Sequence, residues 1–272
     1  MTLGWRGDFR AVIASDVSSR EGLGWEFTGA NGLPVWAVFR EDGGPFPVFS
    51  ATRGEVGLPA REELLAMTIA AVTDLLRAAG LGDDVGWNAQ NIAAGLMWAA
   101  EDLTSWEGEE WAIESDGADN PVTWGGPEDG RTPFAWLRAR SRADSRLVGV
   151  YQDEGVFGLD FTELWTRELP SRDQGSLRSR RNIPLACGPV QSVEVVYDTL
   201  VEGGRSPGLV TEVLLHTERG NLLLLAAEAY GANEWHLFDE SVVAIPEPER
   251  VAAMTWVPPR QQWRSAEVDL LL

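Results

Sequence analysis

The chain has 272 residues, 44% of them apolar and thirteen of them Trp, enough to bury a sizeable core, and this excludes disorder as the main state. Its 42 acids against 22 arginines, with no lysine, give a formal charge of −20, a field that repels nucleic acid and anionic lipid and excludes generic binding to either. The lone Cys187 excludes an internal disulfide, no apolar run reaches membrane-spanning length, and MTLGWRGDFR lacks a signal-like apolar region, so the expected location is the cytoplasm.

The first fifty residues read as short strands. Leu23, Trp25 and Phe27 alternate with Gly24, Glu26 and Thr28, Asn31-Gly32 supplies a hairpin turn, and Val35, Ala37 and Phe39 alternate on the return. A turn at Glu41 to Pro45 leads to a third strand near Phe46 to Thr52, which completes an antiparallel meander. A helix follows. Pro59 suits its first turn, Glu62 and Glu63 sit near the positive end of its dipole and Arg77 near the negative end. Leu65, Ile69, Val72 and Leu76 keep the spacing of a buried stripe, and Gly80 marks the stop. A second helix is expected from Asn88 to Leu103, with Ile92, Leu96, Ala99 and Leu103 on one face, Gly95 allowing close approach and Trp98 partly off that face.

From Glu101 to Gly130 the periodicity dissolves into Gly, Asp, Glu, Asn and Pro, apart from a short strand candidate at Trp111 to Ile113. Stretches of that length without structure are uncommon inside a compact domain, which places a boundary or a long functional loop here. Strands dominate the rest: Phe134 to Ala139, Leu147 to Tyr151, Val193 to Tyr197, Leu209 to Thr217, Leu222 to Ala229 and Trp235 to Ile245. Pro170 to Arg181 reads as a polar loop, and the prolines from Pro246 to Pro259 make the tail irregular. The expected fold class is α+β: an N-terminal antiparallel sheet with two helices (1–105), an acidic Trp-containing loop or linker (106–130), and a strand-rich antiparallel second half (131–272).

Charge is segregated along this order. Residues 61–130 hold fifteen acids against Arg61 and Arg77, whereas residues 131–181 hold ten arginines against seven acids. Arg138, Arg140 and Arg142 recur at period two and would share one face of a strand, with Arg178, Arg180 and Arg181 in the later loop. Such a patch either grips phosphate or a carboxylate-rich partner by forked hydrogen bonds, or neutralises the protein's own acidic loop within or between subunits.

Other chemistry is sparse. Cys187 as a nucleophile needs a base or a positive field, and its surroundings read instead as those of a buried cysteine. Simple pairing of the last strands sets His216 opposite Leu223 and His236 opposite Ala227, about 13 Å apart along the sheet, too far to share a metal. Asp116, Asp119 and Asn120 offer oxygen ligands for calcium, but a turn cluster needs no metal and the bidentate Glu of a calcium loop is displaced. Neither a phosphate loop nor a nucleophile elbow occurs.

The leading expectation is a non-enzymatic cytosolic protein, an adaptor, chaperone-like factor or inhibitor, that binds a basic partner. Its surface would comprise Trp106, Glu107, Glu109, Glu110, Trp111, Glu114, Asp116, Asp119 and Trp124, with indoles as anchors and carboxylates selecting charge. No catalytic residue, metal or cofactor is assigned. The alternatives are a carboxylate-dependent hydrolase or carbohydrate-active enzyme, marked by converging acids with one raised pKa, and a structural subunit of a homo-oligomer.

Overall fold

The computed structural model describes residues 2–4, 8–13, 23–28, 34–41, 48–53, 61–78, 86–110, 113–114, 121–122, 133–142, 144–153, 156–162, 181–197, 208–229 and 234–257. In chain order these form β1 (Thr2–Gly4), β2 (Asp8–Ile13), β3 (Leu23–Thr28), β4 (Pro34–Glu41), β5 (Val48–Arg53), α1 (Arg61–Ala78) and α2 (Gly86–Leu96), which runs into a 3₁₀ turn at Met97–Ala100. Then come β6 (Asp102–Glu110), β7 (Ile113–Glu114), β8 (Pro121–Val122), β9 (Pro133–Ser141), β10 (Ser145–Asp153), β11 (Val156–Asp160), β12 (Arg181–Ile183) and β13 (Gly188–Tyr197). β14 (Val210–Thr217), β15 (Gly220–Ala229), β16 (Glu234–Ile245), a 3₁₀ turn at Pro248–Ala253 and β17 (Thr255–Val257) complete the order. The described residues are sheet-rich with two α-helices, and every strand pair described is antiparallel except β16 with β17.

Six strands close on themselves. β6 pairs with β9, β9 with β16, β16 with β15, β15 with β14, β14 with β13, and β13 returns to β6 through Gly188 with Leu103 and Pro189 with Asp102. β5 pairs with the remaining edge of β13 and carries β4 to β1 outward in sequence order. Main-chain pairing therefore runs between residues before 105 and residues after 131, across the division expected from composition.

Register explains which residues the strands need. Leu222, Leu224 and Ala226 belong to the main core with Val213, Leu215, Val242 and Ala244, while Leu223, Leu225 and Ala227 enter a second cluster with Trp235, Val251 and Trp256. A strand covered on both faces reads as a continuous apolar run, which is what residues 222–227 are. α1 packs on α2, and α2 packs on β5, β13 and β14. The buried stripe of α1 is Leu64, Thr68, Ala71, Val72 and Leu76, turned slightly from the expected one, with Leu65 and Ile69 half-buried at its margin.

The second helix stops earlier than its apolar spacing predicts. After Leu96 the chain tightens into the 3₁₀ turn, which brings Trp98 into the core beside Trp106 (5.5 Å between ring centres) and Phe161 (5.7 Å) instead of leaving it off the buried face. Leu103 consequently lies on β6. Asn91, wholly buried, donates from Nδ2 to the Leu159 carbonyl and accepts at Oδ1 from the Phe161 N–H, both at 2.7 Å. Its amide thus satisfies the edge of β11 as a neighbouring strand would.

Candidate functional site

The acidic stretch divides at Glu110. Residues 102–110, expected to belong partly to a helix and partly to a loop, form β6, a strand inside the ring. The bulge between Leu103 and Ser105 switches which residues face inward, so period two is broken and the strand is hidden from a pattern search. Gly108 is required by close packing: a Cβ there would lie 2.8 Å from Leu137 Cδ2 and 2.9 Å from Phe134 Cδ1.

Four residues expected on the docking face lie on this strand. Trp106 is 1% exposed and its indole N–H donates to the Ala186 carbonyl at 2.8 Å, so it anchors the core and not a partner. Its place on the inner face of the ring, opposite Ala139, is the reason. Glu109 is 4% exposed and accepts from the Trp136 indole at 3.2 Å, and Glu110 is 5% exposed at the end of the strand. Glu107 is half-buried; its Oε1 accepts from Arg140 Nε at 3.1 Å and from Arg140 Nη2 at 2.8 Å, with Arg138 3.9 Å from its other oxygen.

The basic strand thus faces acids of its own chain. Arg142 pairs with Asp102 at 3.1 Å, and Arg146 on β10 pairs with buried Glu101 at 2.9 Å. Arg138 also lies 5.4 Å over the Trp136 ring, where a guanidinium gains from the ring quadrupole. Arg178 and Arg180 lie outside the described residues, as does the side chain of Arg181, whose main chain pairs with Gly108.

Residues 111–132 connect β6 to β9. These strands are antiparallel neighbours, with Glu110 opposite Phe134, so the connection leaves and returns at one end of the ring. Within it β7 and β8 pair through Ile113 with Val122 and Glu114 with Pro121, a ladder separate from the large sheet. Asp116 and Asp119 fall between these strands in sequence; they, Trp111 and Trp124 lie outside the described residues. β12 runs antiparallel to β6, so Arg181 begins it opposite Gly108, toward the same end.

The remaining candidates are satisfied locally. The Cys187 thiol, half-buried, lies 3.4 Å from the Leu185 carbonyl, and burial pushes its pKa up more than Arg219 lowers it, which keeps it a thiol. His216 pairs with Asn221 and His236 with Glu228, not with Leu223 and Ala227, because the strands are offset and β16 carries a bulge. Seven residues of β15 then separate their positions, about 24 Å at strand rise. His216 contacts Asn221 Oδ1 at 3.0 Å and His236 contacts Glu234 at 2.9 Å. Among the described residues no group of three His, Cys, Asp or Glu could hold a metal, and no helix is long and apolar enough to cross a membrane.

Sequence reasoning passed over Glu228. Burial, with Asp239 and Glu240 adding repulsion, pushes its carboxyl up to about 7. Only the bulge in β16 brings these acids together, and no sequence pattern marks it. No family model, curated protein or solved structure matches the chain, so function is argued from charge and geometry.

Proposed function

We propose that this is a non-enzymatic cytoplasmic protein-binding protein, of adaptor, chaperone-like or inhibitor type, that engages a basic partner through residues 111–130. Trp111 and Trp124 supply the apolar anchors, and Glu114, Asp116 and Asp119 select positive charge. The supporting observation is the split at Glu110. Asp102, Glu107 and Glu109 on β6 meet arginines or an indole of the same sheet, whereas the acids from Glu114 onward belong to a connection with its own small ladder. That connection carries five acids against Arg131 alone. Glu107, Glu109, Glu110 and Trp106 are thereby reassigned from docking to support.

The test is affinity capture from native cytosol with the unmodified protein, with Glu114→Gln/Asp116→Asn/Asp119→Asn, and with Trp111→Ala/Trp124→Ala. A captured basic protein that elutes with rising salt and is lost in both variants is the expected result. An unchanged capture profile in the charge variant removes the site from 111–130.

A further inference from the structure

The bulge in β16 carries the one non-glycine residue at positive φ among the described residues. Ala226 pairs with Val242 and Ala227 with Leu237, so residues 238–241 are extruded from the ladder. Phe238 has φ 62°, a left-handed conformation that a bulky side chain enters only uphill. Ser241, at the neck, is wholly buried, and its hydroxyl has no hydrogen-bond partner among the described residues.

Just past the bulge, Val242 pairs with Phe134 and Val243 with Pro133, and these pairs join β16 to β9 and complete the ring. Pro133 has no N–H to give, which makes this seam a weak one. It also adjoins the point where residues 111–132 return to the sheet.

We propose that the bulge is a proton-controlled latch on the β9–β16 seam: it stays closed over a protonated Glu228, and ionisation sets the carboxylates of Glu228, Asp239 and Glu240 against one another and loosens the seam. The groups acting on Glu228 come mainly from β16, which contributes Asp239 and Glu240 as charges and the His236 ring, held by Glu234, at the paired position. Continuing the β14 register brings apolar Leu209 and Val210 alongside. The other titratable side chains described on elements packed against β15 are Glu212, wholly buried, and His216, held by Asn221, on β14, Asp160 on β11, bonded to Thr162, Arg138 and Arg140 on β9, held by Glu107, and Glu249 after β16. Among the described residues none of these is a counter-charge paired with Glu228.

The sign follows from the raised pKa. A closed latch holds the Glu228 proton more tightly than an open one, so closure is fully favoured below the ordinary carboxyl range and weakens as pH rises. The loss is complete once pH passes about 7. The switch therefore works between the ordinary carboxyl range and about pH 7, whether or not residues 111–130 bind a partner.

Hydrogen exchange on the free protein between pH 5.5 and 8.5, corrected for intrinsic exchange, tests this. Protection at Val242, Val243 and Phe134 is expected to fall about tenfold between pH 5.5 and about 7 and to level off above it. Glu228→Gln should hold it flat at the protected level, and Asp239→Asn/Glu240→Gln should move the midpoint to lower pH. Protection in the wild type that does not change with pH overturns the latch, as does a fall that survives Glu228→Gln. Should Glu228→Gln fail to fold, an unmoved midpoint in the double variant overturns it as well. Because no partner is present, failure of the binding proposal leaves this result standing.

Discussion

Residues 101–110 and 111–130 are alike in composition, each rich in acids and tryptophan, and the fold treats them differently. The first run lies against β9, whose arginines sit at the matching height: Arg138 is directly across from Glu107, and Arg140 reaches back to the same carboxylate. Of the second, the described residues form β7 and β8, which pair with each other in a ladder separate from the large sheet. A carboxylate next to a guanidinium within a sheet is part of the scaffold, whatever its neighbours in sequence suggest. Charge segregation along a chain therefore says where complementary strands meet before it says anything about partners.

The sharpest way to break this contrast is at the tryptophans. Trp106→Ala removes a buried indole and its hydrogen bond to Ala186, and a loss of about 3–5 kcal/mol is expected in denaturant unfolding. Trp111→Ala and Trp124→Ala should leave unfolding within about 0.5 kcal/mol of the wild type while weakening capture. Equal destabilisation by all three substitutions would make the two runs one structural unit.

Next in size is Gly108→Ala. Its methyl group would press on Leu137 and Phe134, both buried, and overpacking of this kind costs about 1–3 kcal/mol. Glu101→Gln is expected to cost a similar amount, about 1–3 kcal/mol, because it leaves the largely buried Arg146 guanidinium with a weakened partner. Neutralising Glu114, Asp116 and Asp119 together should change stability by no more than about 0.5 kcal/mol. Thermal unfolding of each variant at low and high salt separates the groups.

The parts of this fold that a sequence discloses are those whose apolar runs or alternation persist over most of the element, bulges included. β9, β10 and β13 to β16 coincide with runs of apolar or alternating residues, and α1 with a stripe at helical spacing. β6 escaped because its bulge reverses the alternation and because Glu107, Glu109 and Glu110 look like loop residues until the strand opposite them is known. The same limit applies to Trp98 and to the acids around Glu228, whose placement depends on a 3₁₀ turn and on a bulge. Both are local departures from regular geometry forced by packing at a distance. Arg138, Arg140 and Arg142 were visible as a period-two set, but their partners required the register.

The smallest expected effect separates the interior of this charge ladder from its rim. Arg142 is 80% exposed and pairs with Asp102, whereas Arg140 forks onto a half-buried Glu107 that also lies near Arg138. An exposed pair gains little Coulomb energy in water and loses side-chain entropy in forming, so the Arg142–Asp102 coupling should be about 0–0.5 kcal/mol. Glu107 is shared between two guanidiniums and shielded on one side, and about 1 kcal/mol is expected for its coupling to Arg140. Double-mutant cycles on Asp102→Asn/Arg142→Gln and Glu107→Gln/Arg140→Gln measure both directly. Near-zero coupling for both pairs would mean that β6 and β9 are held by Trp106, Leu137 and their apolar neighbours alone. The arginines would then only keep the ladder from repelling itself.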